Sequence, residues 1–498
     1  MSDSAAAAVR LNSDRSRAET LKFVGGTIVA YQDGGHRILE NGEVIVSGDR
    51  VVSVGPKSDT AASRTIELKG RLLIPGMIST HAHIGAHEAT RFVIDGGRRE
   101  FMRSGFLNYV PTQGQDGASL FAAIDRDASV RFGFAQLLRN GVTTVLGFAP
   151  YSDDLMVDVA NETGLRLYFA PTANAGRYHF DDSGGLRRVV DDPRGEAQLD
   201  AAAEFIARHH GAGGDRIRGI VVVDEFYNST PSLRRAAKEV AGSLKVGLTM
   251  HFCEQLFEFH ETVRLTGLTP VQILEREGIL GPEVILAHCI YIAGHSMACY
   301  PYVDDLKMIA ESGSTVAHSP VVFARRGVML ESFQRYQNAG VNVAIGTDVF
   351  PMDIIEEMRF ASIAGKIADR NHEAASAAAV FDAATVGGAR ALGRDDIGRI
   401  APGAKADLVV VDLGNIWTVP YVDPIKALVT SGHPSMIDMV LVDGRVLVED
   451  GRLLEPSDAL LTQAGASMAS LESAYAGWHH SGHAARAEYP PAYPNWRG

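Results

Sequence analysis

Short apolar runs recur through the middle of the chain, each separated from the next by enough residues for a helix. They are Arg71 to Ile78, Thr143 to Phe148, Leu165 to Ala170, Ile217 to Val223, Val246 to His251, Val284 to His288, Thr315 to His318 and Val341 to Asp348. A strand that is apolar throughout must be covered on both faces, and strand–helix–strand repetition gives that cover in a parallel sheet. Eight such units spread over roughly 320 residues predict an α/β fold, a (β/α)8 TIM barrel enlarged by loop insertions. The rival, a doubly wound open sheet, lacks its Gly-x-Gly-x-x-Gly after the first run.

The flanks follow a different rhythm. Phe23 to Gly26, Gly42 to Val46 and Arg50 to Gly55 are short β-type runs between turns, and the pattern returns in Ala406 to Val411 and Met439 to Val448. One small β-sandwich built from both chain ends accounts for this, with residues 20–70 and 400–455 in the sandwich and 71–399 in the barrel. Residues 456–498 then form a C-terminal helix and a Pro-rich tail, with Pro490, Pro491, Pro494 and Trp496 near its end. His479, His480 and His483 in this segment are expected to be solvated.

Composition narrows the partners. A chain of 498 residues that is 46% apolar excludes both a single small module and wholesale disorder. Its 60 acidic against 47 basic residues give a charge of −13. With no Lys/Arg run, nucleic acid is excluded as a partner and a small molecule is expected. No stretch approaches the ~20 apolar residues of a membrane span, and Ala5 to Ala8 lead into Arg10, Asp14 and Arg15 instead of a signal core. The expectation is a cytoplasmic protein. Cys253, Cys289 and Cys299, too few for a disulfide framework, are expected in or beside core strands.

The chemistry concentrates at strand ends. Pro75 to His83 is an apolar strand closing on His81-Ala82-His83, and alternate strand residues face the same way, so both imidazoles can share one ion. His251, His288 and Asp348 fall at the ends of other predicted strands, where catalytic groups of such barrels converge. Neutral imidazoles with one carboxylate suit one divalent metal ion per chain. Zinc is expected first, with iron, manganese or cobalt as alternatives, and an open position remains for water.

Taken together, these segments resemble the amidohydrolase superfamily, in its cytosine deaminase-like and chlorohydrolase-like branch of metal-dependent aminohydrolases. The residues that carry the resemblance are Pro75-Gly76 with His81-x-His83, Gly141 to Thr144, His251-Phe252-Cys253-Glu254 and Ala287-His288-Cys289. Val316 to Pro320, Gly346-Thr347-Asp348 and Gly398 to Leu408 extend it over most of the chain. The resemblance implies that His81, His83, His251 and Asp348 hold the metal and that Glu254 shuttles a proton. His288 would orient the attacking water or polarise the substrate, and Asp348 would accept a proton. A binuclear site is the competing arrangement, but the fourth strand lacks the bridging lysine; Asp224 and Glu225 at its end are expected as helix-cap or loop carboxylates. The resemblance, with the C-terminal segment, also implies a homodimer or larger homo-oligomer.

For the substrate, the sequence departs from the deaminases of that branch. Where they carry Pro-His-Ala-Pro-Tyr after the fourth strand and Ser-Asn pairs after the seventh and eighth, this chain has Asp224 to Asn228, Ser319 to Ala324 and Asp348 to Asp353. Phe226, Phe323, Phe350 and Pro351 are therefore expected to wall an apolar pocket. His87, Arg177, Tyr178, His179 and His318 are further candidate substrate contacts, as are Glu88, Arg91, Phe106, Tyr109 and Asn174. The resulting reading is a hydrolase cleaving a non-peptide C–N bond of a hydrophobic amide, urea or carbamate. The alternative is displacement of an amino or halogen group from a nitrogen heterocycle, and a non-catalytic barrel subunit is the remote third.

Overall fold

The structure, a computed structural model, describes residues 20–94, 120–149, 154–181, 183, 186–454, 458–479 and 482–496. Eight parallel barrel strands follow one another in chain order. The first is Met77–His83 and the second Val142–Phe148; the third is Arg166–Tyr168, continued by Thr172–Ala173. The fourth, Ile217–Arg218 continued by Val221–Glu225, precedes Leu248–Phe252, Val284–His288, Thr315–His318 and Asn342–Ile345. Each pairs with its successor. The ring closes through a parallel bridge between Ala82 and Asp348.

Strand alternation sorts the apolar side chains into two layers. Leu146, Phe148, Tyr168, Ile220, Val222, Ile285, Ala317 and Ala344 fill the barrel interior. Val145, Leu167, Val221, Val223, Met250 and Leu286 point outward into the larger core beneath the helices. The all-apolar runs are thus explained by burial on both faces.

Strands from both chain ends pair in one sheet. Leu72–Pro75, expected as the start of the first barrel strand, is a sandwich strand paired with Thr27–Gln32 on one side and Leu408–Val411 on the other. The barrel strand begins only after Gly76, where an added Cβ would stand 2.1 Å from Thr143 Oγ1. This close crossing is what lets one apolar run serve two sheets. A second sandwich sheet is built from Thr20–Val24, Gly42–Ser47, Arg50–Pro56 and Arg64–Glu67.

The C-terminal segment differs from the solvated tail expected of it. Leu471, Tyr475 and Trp478 of the helix Asp458–Trp478 pack with Ala89 and Ile124 beside the barrel mouth. His479 is buried and His483 exposed, while His480 lies outside the described residues. Cys253 and Cys289 are buried as expected, but Cys299 is exposed, because it lies in a turn segment beyond the sixth strand.

A buried ion cluster joins the barrel to the sandwich. Arg166, fully buried on the third strand, donates from Nη2 to Asp407 Oδ1 (3.1 Å) and Asp443 Oδ1 (2.6 Å), and from Nε to Asp407 Oδ2 (3.1 Å). Removing the cation takes from the buried Asp407 carboxylate its two charged hydrogen bonds and leaves Asp443 with Lys405 (3.3 Å) and Arg216 (3.8 Å). Breaking such a buried pair typically costs about 3–5 kcal/mol. Arg166→Met is expected to lower stability by that amount in urea unfolding; a loss under about 1 kcal/mol would show that the cluster does not hold the two units together.

Candidate active site

The strand ends on one rim of the barrel bring five of the expected side chains together. His81 and His83 leave the first strand two residues apart, and their ring centroids lie 5.0 Å from each other. The His81 ring is 4.8 Å from that of His251 and 4.7 Å from that of His288. His83 Nε2 lies 3.0 Å from His251 Nε2. Asp348 completes the group, its carboxylate 4.0 Å from His81 Nε2, 3.7 Å from His83 Nε2 and 3.9 Å from His288 Nε2.

Backbone geometry aims these groups. His288 has φ of +74° and Asp348 of +50°, left-handed values that are uncommon for non-glycine residues and concentrate at functional sites. Space around His81 is reserved by Gly346, where a Cβ would come within 2.8 Å of the His81 Cβ. The His251 ring is fixed by its Nδ1, 2.6 Å from the Asp224 carbonyl oxygen. A proton on Nδ1 leaves Nε2 with its lone pair facing the other imidazoles, the tautomer a metal ligand needs.

Electrostatics agree with that chemistry. Burial holds His81, His83 and His288 well below the usual imidazole range, with the neighbouring imidazoles adding to the effect. Neutral imidazole is the ligating form. Burial, reinforced by the Glu254 carboxylate, pushes Asp348 up to about 7, and a cation beside it would restore its charge. Both ring nitrogens of His81 and of His288 are buried without a hydrogen-bond partner. Buried polar atoms left unpaired are costly, and a divalent ion at this point would take up one nitrogen of His81. The donor set of imidazoles and one carboxylate fits such an ion.

Glu254 follows His251 by three residues and is buried at the cavity wall. Its Oε1 accepts from Gln255 Nε2 (2.7 Å) and lies 3.8 Å from Arg326 Nη1, and burial raises its pKa. The cavity in front of these groups measures about 410 Å³ and is lined also by Phe121, Phe148, Thr172, Asn174, Gln198, Asp224, Glu225 and Arg326. Two carboxylates expected as caps or loop groups thus face the site. A bulge puts them there: Val223 pairs with Met250 and Glu225 with His251, so Asp224 is an extra residue, and Glu225 is brought level with His251. The bulge leaves no mark in the sequence, and Arg326, on a loop, has no periodic signal either.

The phenylalanines expected to wall the pocket lie elsewhere, and Val322 and Val349 of the same loops line the cavity instead. Phe226 packs against Phe252 in the outer core with Arg234 over its ring. Phe323 buttresses His288, centroids 4.7 Å apart, and Phe350 is held between Arg91 and Arg325. None of the three lines the cavity. These rings bury themselves in neighbouring clusters because that removes more apolar surface from water than a wet cavity would.

Other candidates are also displaced. His87 is buried beside Glu88 and Ser129 and stacks on Phe132. His318 lines a separate cavity of about 300 Å³, and burial pushes it down to about 3. Arg177 and His179 belong to the hairpin Gly176–Phe180 and Leu186–Val190, outside the cavity lining, whereas Asn174 lies in it. The side chain of Tyr178, and Phe106 and Tyr109 altogether, lie outside the described residues.

Comparison with known proteins fits this arrangement. The family model described as "Amidohydrolase family" matches residues 72–447. The chain belongs to the amidohydrolase family. It is a hydrolase of that family, acting on carbon–nitrogen bonds other than peptide bonds.

Over 442 residues it is 28% identical to a 5-methylthioadenosine/S-adenosylhomocysteine deaminase of Symbiobacterium thermophilum, covering 87% of this chain and 94% of the relative. It is also 28% identical over 425 residues to a 5'-deoxyadenosine deaminase of Methanothermobacter thermautotrophicus, with 83% and 91% covered. Among solved structures, an adenosine deaminase from Xanthomonas campestris with bound zinc has a TM-score of 0.76 at 23% identity, covering 91% of this chain and 98% of that one. A mutant atrazine chlorohydrolase from Arthrobacter aurescens, with zinc and atraton, has a TM-score of 0.75 at 23% identity, covering 90% and 100%. These two show the likeness of fold.

The donor set carries a direct expectation. The purified protein should hold about one tightly bound divalent ion per chain, and His83→Ala should lose most of it if His83 is one of its ligands. Elemental analysis that finds equal metal in the two proteins contradicts the arrangement.

Proposed function

We propose that this amidohydrolase is a metal-dependent aminohydrolase that displaces an exocyclic amino group from a nitrogen heterocycle. The observation that carries the reading is a cavity in which Glu254 and the imidazole–carboxylate donor set face the same space. The hydrophobic amide, urea or carbamate rested on an apolar wall, and Phe226, Phe323 and Phe350 do not form one. The deaminase activities named for the relatives support the heterocycle. Because the Pro-His-Ala-Pro-Tyr segment and the Ser-Asn pairs are missing, the proposal does not extend to a particular nucleoside.

In this reading His81, His83, His251 and Asp348 hold the ion, which the zinc in the solved relatives suggests is Zn²⁺. A divalent ion there lowers the pKa of water enough to make it a nucleophile at neutral pH. Glu254 takes a proton from the attacking water and returns it to the departing nitrogen, a role suited to a carboxyl whose pKa burial has raised. His288, pressed in place by Phe323, orients water and the ring atom under attack. Asp348 accepts the second proton of that water and gives it up to the ring nitrogen, so that the products are ammonia and the neutral carbonyl form of the ring.

A homo-oligomer in the cytoplasm belongs to the same proposal. The exposed Phe360, Ile363 and Ile367 on the helix Ile354–Asp369 give an apolar patch of the kind an interface covers. No helix among the described residues is long and apolar enough to cross a membrane.

Two measurements test the chemistry. Glu254→Gln should keep its metal while turnover falls at least ~10²-fold, the scale for losing a positioned acid or base; near-normal turnover refutes the shuttle. In a panel of aminopurines, aminopyrimidines, amino- and chlorotriazines, anilides and aryl ureas, the metal-loaded protein should release ammonia from an amino-heterocycle with the highest kcat/KM. Preference for an anilide or urea overturns the reading, and preference for a chlorotriazine changes the leaving group.

A further inference from the structure

Two side chains of the cavity lining hold buried acceptors open. Glu225 is buried and lines the cavity; the Tyr227 hydroxyl interacts with its carboxyl and burial raises its pKa, while its Oε2 has no hydrogen-bond partner among the described residues. Asn174 lines it too. Its Nδ2 donates to Asp224 Oδ2 (3.1 Å), which turns Oδ1 away from that bond, and Oδ1 is likewise buried and unpartnered. The charged donor of the cavity lining, Arg326, sits 3.8 Å from Glu254. Buried acceptors left open cost free energy that a ligand recovers by bringing N–H groups to them.

We propose that Glu225, with Asn174 beside it, reads a second N–H donor on the substrate. The substrate class is then a nitrogen heterocycle bearing, besides the amino group that leaves, a further exocyclic amino or ring N–H on the edge turned to the fourth strand. This rests on the aminohydrolase reading and sharpens it. The bulge at Asp224 is the structural device, since in a regular strand with Asp224 paired in the ladder alternation would send Glu225 to the helix side with Val223. A site built to hydrogen-bond a substrate group rejects analogues lacking that group far more strongly than an apolar pocket rejects a missing methylene.

The test separates binding from turnover. Calorimetric titration of the metal-loaded protein compares 2-aminopurine with purine and 2-aminopyrimidine with pyrimidine, pairs that differ only in the donor. In at least one pair the amino compound should bind about 10-fold tighter, the upper scale of one hydrogen bond to a neutral group. The preference should fall to near unity in Glu225→Leu and survive in part in Glu225→Gln, whose amide oxygen still accepts. Thermal unfolding checks that each variant is folded; if Glu225→Leu is not, the wild-type pairs and Glu225→Gln decide.

Equal affinities in both wild-type pairs overturn the proposal, as does a preference undiminished in the variants. Loss of one metal equivalent in a Glu225 variant also overturns it, by making Glu225 a ligand to an ion. If the preference holds while neither adenine nor 2,6-diaminopurine is hydrolysed, the aminohydrolase reading is what fails.

Discussion

Two backbone hydrogen bonds close the barrel at the residues that matter most to its site. The Asp348 N–H donates to the His81 carbonyl (2.9 Å), and the His83 N–H donates to the Asp348 carbonyl (2.6 Å). Because closure runs through the proposed ligands themselves, the separation of His81, His83 and Asp348 is set by sheet geometry, with little left to side-chain freedom. The fifth and sixth strands then bring His251 and His288 to the same rim through their own ladder. Ligands mounted on rigid strands are held more tightly than ligands on loops, which is the preorganisation such a centre requires.

That rigidity has an electrostatic consequence. Four imidazoles with centroids about 5 Å apart, packed round Phe148 and Phe323, cannot all carry protons in so little water. The neutral forms persist, and their lone pairs converge where a cation is stabilised. Local strain is accepted at His288 and Asp348, which have left-handed φ, and the surrounding core is extensive enough to hold them there.

Much of this was legible in the chain. The period of strand and helix set the barrel, because fully buried strands must be apolar at every position. The His-x-His pair and the strand-end His251, His288 and Asp348 were readable because inward projection from a strand end depends only on alternation. Other features were hidden for physical reasons. The strand Leu72–Pro75 reads as continuous with Met77–His83 because both are apolar, and only the crossing at Gly76 separates them. Phe226, Phe323 and Phe350 looked like a pocket because loop aromatics near strand ends have two places to bury, and sequence does not say which neighbour receives them. Asp224 and Glu225 looked like ordinary caps because a bulge changes facing without changing composition.

The central claim is that the barrel rim holds one divalent ion between His81, His83, His251 and Asp348. Anomalous scattering from crystals of the zinc-loaded protein, recorded above and below the zinc edge, tests it most directly. The account predicts one strong peak at the rim, with imidazole nitrogens and a carboxylate oxygen of these residues at about 2.0–2.2 Å. A rim without a peak, or an ion bound by Asp224 and Glu225 in place of His81 and His83, would contradict it.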